Sequence, residues 1–353
     1  MTHLFFHSRR QTLQAFTLIE LLLSIGILSI VLVTTTSLLN TSLNQLRVSE
    51  AGFGQFQESQ AAFETMTSRL SSCELNPYYD YQYPGNNLAT VPTGYKLESD
   101  LHFVSGRASG GTNSLLQGSN YPSHAVFFHG TFGLTEQTPW KGLGTLLNSW
   151  GYFIEFGDDS TERATFLNGG ATPPRYRFRL KELQVPSEAL QTYAVGLSTL
   201  PSPTVANLYQ WFRIPAADSA TTHTLAENII AMVITPLMTN AAGNLSNELA
   251  PAYTYDSRTY QYASTGLAER TRHKLPPLLR ITLVALDEVS AQQLQDDNGS
   301  SMPDLGIGGL FSNPSQYESD LATLESALVG QKLRYRVFST MIRLRNARWT
   351  NQY

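Results

Sequence analysis

The sequence predicts an α+β protein in which a long N-terminal helix packs on a mainly antiparallel, β-rich globular body. Three observations predict this class. An apolar run of 24 residues, Phe16 to Leu39, opens the chain, and an amphipathic helical stripe follows it. Beyond Cys73 the chain alternates short strand-like segments with turn-forming residues. Because no strand-helix-strand alternation is present, an antiparallel arrangement is expected.

The composition supports a folded body. Of the 353 residues, 42% are hydrophobic and only 15% are charged, which is typical of a chain that buries a sizeable core. The net charge is -4 and the basic residues are not gathered into one patch, so no nucleic-acid partner is expected. Cys73 is the only cysteine, which excludes an intramolecular disulfide and a multi-cysteine metal site.

The apolar run is long enough to cross a membrane. As a helix, 24 residues reach about 36 Å, against a hydrocarbon core of roughly 30 Å. Arg9 and Arg10 precede the run and the next basic residue is Arg47. The positive-inside rule therefore places the N-terminus in the cytoplasm and the body outside, as a single-pass protein of the cytoplasmic membrane.

Three ordinary interpretations of this run compete with a special one: a cleaved secretory signal, a plain uncleaved anchor and a buried core helix. The run exceeds the 7–15-residue apolar region of a signal peptide, and no small-residue cleavage site stands near its far end. Glu20 argues against a plain anchor, since an ionised acid at the bilayer centre costs about 2.5–3.5 kcal/mol and usually has a functional partner.

The stretch Ala15-Phe16-Thr17-Leu18-Ile19-Glu20 resembles the cleavage and methylation signature of type IV prepilins and type II secretion pseudopilins. The resemblance implies that a prepilin peptidase cuts between Ala15 and Phe16 and methylates the new Phe16 amine. It also implies that Glu20 meets the N-terminal ammonium of a neighbouring subunit. Ala15 stands where the family usually has glycine.

By that resemblance the chain divides into a leader (1–15), a transmembrane helix (16–39), an amphipathic continuation of the helix (40–72) and an extracytoplasmic globular domain (73–353). The second half of the helix is expected to pack on the protein's own sheet. The stripe that predicts this continuation consists of Leu43, Leu46, Phe53, Phe56, Phe63, Met66 and Leu70.

The body is predicted to be built from strands and one helix. In "RYRFRLKEL", apolar residues alternate with Arg175, Arg177, Arg179 and Lys181, which favours one buried and one solvated face over an anionic-ligand site. The helix is predicted over "SQYESDLATLESALVG", with Ser315 as cap and Gly330 as stop. The other predicted strands are "LESDLHFVS", "HAVFFHG", "WGYFIEFG", "LYQWFRI", "ENIIAMVITPL", "LLRITLVALDEV" and "KLRYRVFSTMIRLRNA".

The second half of the body is loosely similar to two groups of prepilin-like proteins. The order "LAENIIAMVITPL", a Tyr-rich loop, "LPPLLRITLVAL" and "YRVFSTMIRLRNAR" resembles the J class of minor pseudopilins. It also resembles the prepilin-like C component of a gene cassette described from Verrucomicrobia.

Catalytic signatures are absent from the sequence. It contains no G-x-S-x-G elbow, no H-E-x-x-H helix and no P-loop, so we expect no enzyme and no cofactor. His124 and His129 are five apart in a predicted strand and therefore point to opposite faces. The loop "DDNGSSMPD" holds the oxygen ligands Asp296, Asp297, Asn298 and Asp304, which leaves calcium as an alternative to the expected solvated turn.

These observations predict a minor pilin-like subunit that assembles into a type IV pilus or a type II secretion-like pseudopilus. The expected partners are the prepilin peptidase, other pilin-like subunits, an inner-membrane assembly platform and membrane lipid. The alternative is an envelope enzyme or ligand-binding domain tethered by an uncleaved N-terminal anchor.

Overall fold

The computed structural model describes residues 18–110, 114–167, 172–192, 208–240, 242–259 and 266–349. The chain separates into two compact units, Met1–Ala51 and Gly52–Tyr353. The helices are α1 (Leu18–Ser71), α2 (Gln210–Ala216), α3 (Gly266–Thr271), α4 (Glu288–Asn298) and α5 (Tyr317–Gly330). The strands are β1 (Tyr78–Gln82), β2 (Gly94–Glu98), β3 (Val104–Arg107), β4 (His124–Thr131), β5 (Leu147–Gly157), β6 (Arg177–Val185), β7 (Thr222–Glu227), β8 (Ile229–Thr239), β9 (Leu245–Ser246), β10 (Tyr255–Asp256), β11 (Leu278–Leu286) and β12 (Tyr335–Arg343).

The strands of the second unit form antiparallel sheets, so the predicted α+β class with mainly antiparallel pairing is confirmed. One sheet has the order β10-β3-β4-β5-β6-β7, and a second has the order β12-β11-β8-β9. Strands β1 and β2 form a separate hairpin in which Tyr81 lies opposite Tyr95.

Both faces of the six-stranded sheet are covered. Val126 and Phe128 of β4 point into the larger core, which also contains Met66 and Leu70 of α1 and residues of β8 and β11. Their neighbours in the strand, among them Phe127, point into a second core beneath α2. This division follows from the alternation of side chains along a strand.

Gly151 of β5 leaves room for an aromatic ring of the second core. The ring of Phe127 lies directly over Gly151 of β5, where a β-carbon would stand 2.2 Å from the Phe127 ring. On its other side, Phe127 stacks on Phe212 of α2 with ring centroids 4.1 Å apart. A side chain at position 151 would therefore displace the ring that joins α2 to the sheet.

The end of α1 packs against the C-terminal strand. The rings of Phe63 and Phe338 lie 6.0 Å apart. The backbone N–H of Arg345 donates to the carbonyl of Ser71 over 3.1 Å, and the Asn346 amide donates to the carbonyl of Cys73 over 3.1 Å. The predicted extension of the helix to about residue 72, and its packing on the protein's own sheet, are confirmed for residues 56–71.

Several elements differ from the sequence predictions. "LYQWFRI" is not a strand, because residues 210–216 form α2. Helix α4 was not predicted at all; it begins where the Asp287 carboxylate accepts a hydrogen bond from the backbone N–H of Ser290. Helix α5 is confirmed, but Ser315 is not its cap, since its N-cap residue is Gln316. "LESDLHFVS" is divided between β2 and β3, and the expected loop after Cys73 contains β1.

The prediction of a solvated face was wrong for the three cations within β6, whereas Arg175, which precedes the strand, is exposed. Arg177 and Arg179 are each only 2% exposed, and Lys181 is buried as well. Acidic residues from other segments neutralise them: Arg179 lies 3.4 Å from Glu227, Arg177 lies 3.2 Å from Glu288, and Lys181 is paired with Glu162. The anionic partners of this strand face are therefore the protein's own carboxylates.

Candidate functional site

The first part of α1 presents an apolar surface to its surroundings. Residues Leu21–Asn40 form a 20-residue helical stretch that is long and apolar enough to cross a membrane, and none of it is buried. Leu18, for example, is 79% exposed. Exposure of so long an apolar surface to water is unfavourable, and by length and composition the stretch fits a membrane-spanning helix or a signal sequence.

Five hydroxyl groups of this stretch donate to carbonyls of the same helix. Ser29 donates to the carbonyl of Ile25 over 2.8 Å, and Thr35 donates to the carbonyl of Val31 over 2.7 Å. Ser24, Thr34 and Thr36 make the same kind of bond to a carbonyl in the preceding turn. A helix in hydrocarbon needs this arrangement, since each polar group without a hydrogen-bond partner there costs roughly several kcal/mol.

The structure describes only part of the predicted cleavage, methylation and assembly site. Ala15 and Phe16, the residues of the expected cleavage and methylation, lie outside the described residues. Glu20 lies in the first turn of α1, two residues after the helix begins at Leu18. The cleavage, methylation and assembly roles of these three residues stay predictions.

The acidic segment proposed for calcium is not a continuous loop. Asp296, Asp297 and Asn298 form the end of α4, and Asp304 follows in the connection to α5. Asp296 accepts a hydrogen bond from the Gln292 side chain over 2.7 Å. Asp304 accepts one from the backbone of Gly306 over 2.9 Å. In the described part of the chain, no group of three or more His, Cys, Asp or Glu residues has a geometry that could hold a metal ion.

A buried carboxylate fixes the end of α1 to the sheet. Glu182 of β6 is 3% exposed and pairs through Oε1 with the Arg69 guanidinium of α1. The same oxygen accepts hydrogen bonds from Trp150 Nε1 over 2.8 Å and from the Tyr152 hydroxyl over 2.7 Å. Gln184 donates to the other oxygen over 2.6 Å. We call these five residues the Glu182 cluster.

The Glu182 cluster also has an electrostatic signature. Burial and the adjacent Glu182 carboxylate raise the pKa of the Tyr152 hydroxyl well above its usual value, so the phenol stays a donor. The Arg69 guanidinium also lies 4.5 Å from the centre of the Trp150 ring. Sequence reasoning missed this cluster. The sequence held one signal for it: the acid Glu182 lies on the same face of β6 as the inward-facing Phe178 and Leu180, where a charged side chain needs buried partners.

His102 and His129 are both hydrogen-bonded inside the body. His102 Nε2 lies 2.7 Å from Asp256, and its Nδ1 accepts a hydrogen bond from Trp211 over 2.9 Å, which fixes the tautomer with the proton on Nε2. His129 Nδ1 lies 3.0 Å from the Ser149 hydroxyl. All of these groups are buried, and burial lowers the pKa of both histidines. Their contacts join α2 to the neighbouring strands.

The prediction that His124 and His129 face opposite ways is confirmed. His124 Nδ1 accepts from the backbone N–H of Ile234 over 3.2 Å, and Nε2 donates to the carbonyl of Phe311 over 3.2 Å. His129 points instead toward the ring of Trp211, 4.2 Å away. Burial lowers the pKa of His124 to about 4.

A cavity between β6 and α4 is too small for a substrate. It has a volume of about 10 Å³, which is close to the space for one water molecule. Its lining includes the buried Arg177 and Asn228.

Comparison with known proteins adds no further identification. No protein-family model matches the chain, and neither a curated protein nor a solved structure matches it.

Proposed function

We propose that this protein is a prepilin-like minor subunit with a pilin-like arrangement of helix and body. A prepilin peptidase would cleave it between Ala15 and Phe16 and methylate Phe16, and the mature chain would join a type IV pilus or a type II secretion-like pseudopilus. The observation that carries the proposal is the exposed apolar helix Leu21–Asn40, which follows directly on the Ala15-to-Glu20 motif.

The placement of Glu20 gives the proposal its mechanism. Cleavage after Ala15 makes Glu20 the fifth residue of the mature chain and creates a new ammonium group at Phe16. In a low-dielectric environment an unpaired carboxylate is unfavourable, and an opposite charge brought against it makes it tolerable. A neighbouring subunit supplies that charge, so the pairing favours assembled over isolated chains.

The body supports a minor role. Residues 73–353 follow the helix, and a subunit repeated along a narrow axis has little room for so large a body. The protein lies in the cytoplasmic membrane, with the basic leader inside and the body outside. Its partners are the peptidase, other pilin-like subunits, the assembly platform and lipid.

The decisive experiment is the intact mass of the mature chain from its native cell, with and without the prepilin peptidase. We expect a chain that begins at methylated Phe16, and one that begins at Met1 when the peptidase is absent. A chain beginning at Met1 in both strains would refute the proposal and favour the tethered enzyme or binding domain.

A pair of variants tests the assembly role separately. Glu20→Gln should be cleaved normally but lost from purified filaments, because it cannot pair with the ammonium group. Ser24→Ala is the matched control one turn away; its hydroxyl bonds to its own helix, so incorporation should be unchanged. Equal incorporation of both variants would remove Glu20 from the mechanism.

A further inference from the structure

Strand β12 is an edge strand with a long open side. It lies at the end of the four-stranded sheet and pairs with β11 over all nine of its residues, Tyr335–Arg343. Within the residues that the structure describes, no backbone hydrogen bond joins the other edge of β12. An open edge of this length presents a row of backbone donors and acceptors to which another extended segment can pair.

The chain segment that contains β12 carries only basic charges. Residues 332–348 contain no Asp or Glu, and all six of their cationic side chains are exposed: Lys332, Arg334, Arg336, Arg343, Arg345 and Arg348. Among the described residues, only Arg334 of these six lies within 4.0 Å of an acidic side chain, that of Asp287 at 3.8 Å. The side chain of Arg334 is nevertheless 65% exposed. The guanidinium of Arg336 lies 5.4 Å from the centre of the Phe338 ring. Glu325 of α5 is the acid that faces Tyr335.

The charges are arranged along the strand. Arg336 and Arg343 stand near its two ends, about 23 Å apart at 3.3 Å per residue. Between them, residues 337–342 are uncharged. Val337 and Ile342 are half-buried, and Met341 is 40% exposed.

We propose that the open edge of β12 is a docking site for an extended peptide segment of another protein, with acidic residues at both ends and an uncharged, β-branched centre. The main-chain groups would add a strand to the sheet, and the flanking arginines would pair with the acids. A second copy of this chain is disfavoured as the occupant, because pairing β12 with itself would bring two cationic clusters together. This inference does not rest on the proposed function of the N-terminal segment.

The experiment uses the full chain in detergent micelles and the labelled peptide Glu-Asp-Val-Thr-Val-Thr-Val-Asp-Glu, which has the same length as β12 and reads alike in both directions. Fluorescence anisotropy measures binding, and hydrogen exchange measures protection of the β12 amides. One comparison peptide has lysine at its four acidic positions. A second has N-methyl groups on the amides of the three valines and the two threonines, which removes central backbone donors from both edges of the peptide and leaves the charge unchanged.

We expect the acidic peptide to bind, to slow exchange in β12 and to weaken at least about tenfold after either change, since both charge and backbone pairing contribute. Arg343→Glu should weaken binding at least about fivefold, whereas the matched reversal Lys141→Glu, at an exposed turn, should not. Because both side chains are exposed, neither variant removes core packing.

Three outcomes would overturn the proposal. Equal binding of the N-methylated peptide would show charge attraction without strand addition. Binding to phosphatidylglycerol vesicles, with no binding of the peptide, would identify a basic membrane-contacting surface. The absence of all binding would mean that the arginines only prevent the edge from pairing with other copies.

Discussion

Replacing Glu182 by Gln tests whether the Glu182 cluster holds α1 on the sheet. The substitution keeps the shape of the side chain and removes its charge, while the donors Arg69, Trp150, Tyr152 and Gln184 stay in place. Hydrogen bonds to a charged group contribute about 1.5–3 kcal/mol each, against about 0.5–1.5 for neutral ones.

The expected loss follows from the number of bonds. Trp150 and Tyr152 donate to one oxygen of Glu182, and each of these two bonds weakens by about 1 kcal/mol when the acceptor becomes neutral. Gln184 donates to the other oxygen and loses about as much, because the amide nitrogen that replaces that oxygen cannot accept. The Arg69 side chain is 33% exposed, so its contribution is discounted for solvent screening. We expect Glu182→Gln to lower the free energy of unfolding by about 3 kcal/mol.

Urea unfolding of the full chain in detergent micelles, followed by tryptophan fluorescence, measures this loss. Glu136→Gln, at an exposed turn, is the matched control and should stay within about 0.5 kcal/mol of the parent. In a double-mutant cycle, Arg69→Ala should cost less in the Glu182→Gln background than in the parent. A loss below about 1 kcal/mol for Glu182→Gln would refute the reasoning.

Two further predictions concern the body. Burial lowers the pKa of His124 to about 4 in the folded chain, against about 6.5 in the unfolded chain. Between these pH values the unfolded chain binds more protons than the folded one. The free energy of unfolding therefore falls by about 3 kcal/mol as the pH drops through this window. Unfolding at several pH values should show a shallower slope for His124→Phe than for the parent, and equal slopes would contradict this prediction. Gly151→Ala should destabilise the protein by about 1–3 kcal/mol, because its β-carbon would collide with Phe127. Thermal unfolding checks this against Gly157→Ala, which has open space; equal melting temperatures would contradict it.

The sequence predicted best those elements whose signal is local and long. Helix α1 carries an apolar run and then a stripe at helical spacing, and Met66 and Leu70 are fully buried as that stripe requires. The antiparallel class followed from the absence of strand-helix-strand alternation. Short apolar segments were less reliable, because seven residues are consistent with more than one period.

The errors come from partners that are distant in sequence. Residues 210–216 form a helix, and the aromatic side chains at its start are held from a distance: Tyr209 by Asp256 and Trp211 by His102, more than 40 residues away in each case. The β6 arginines are buried because Glu227 and Glu288 reach them from other elements. No local pattern reports such pairings, so neither the burial of these cations nor the partners of Glu182 could be predicted.

The contact between α1 and the C-terminal strand also affects how the chain can fold during synthesis. Residues 63–73 emerge from the ribosome early, but their partners Phe338, Arg345 and Asn346 follow more than 260 residues later. Until then the apolar face of this helix lacks its final cover. A chain whose native contacts join residues so distant in sequence folds slowly, and its partly folded intermediates are prone to aggregation. A truncation that removes β12 should therefore leave a chain that is retained by chaperones and degraded, even though its N-terminal helix is intact.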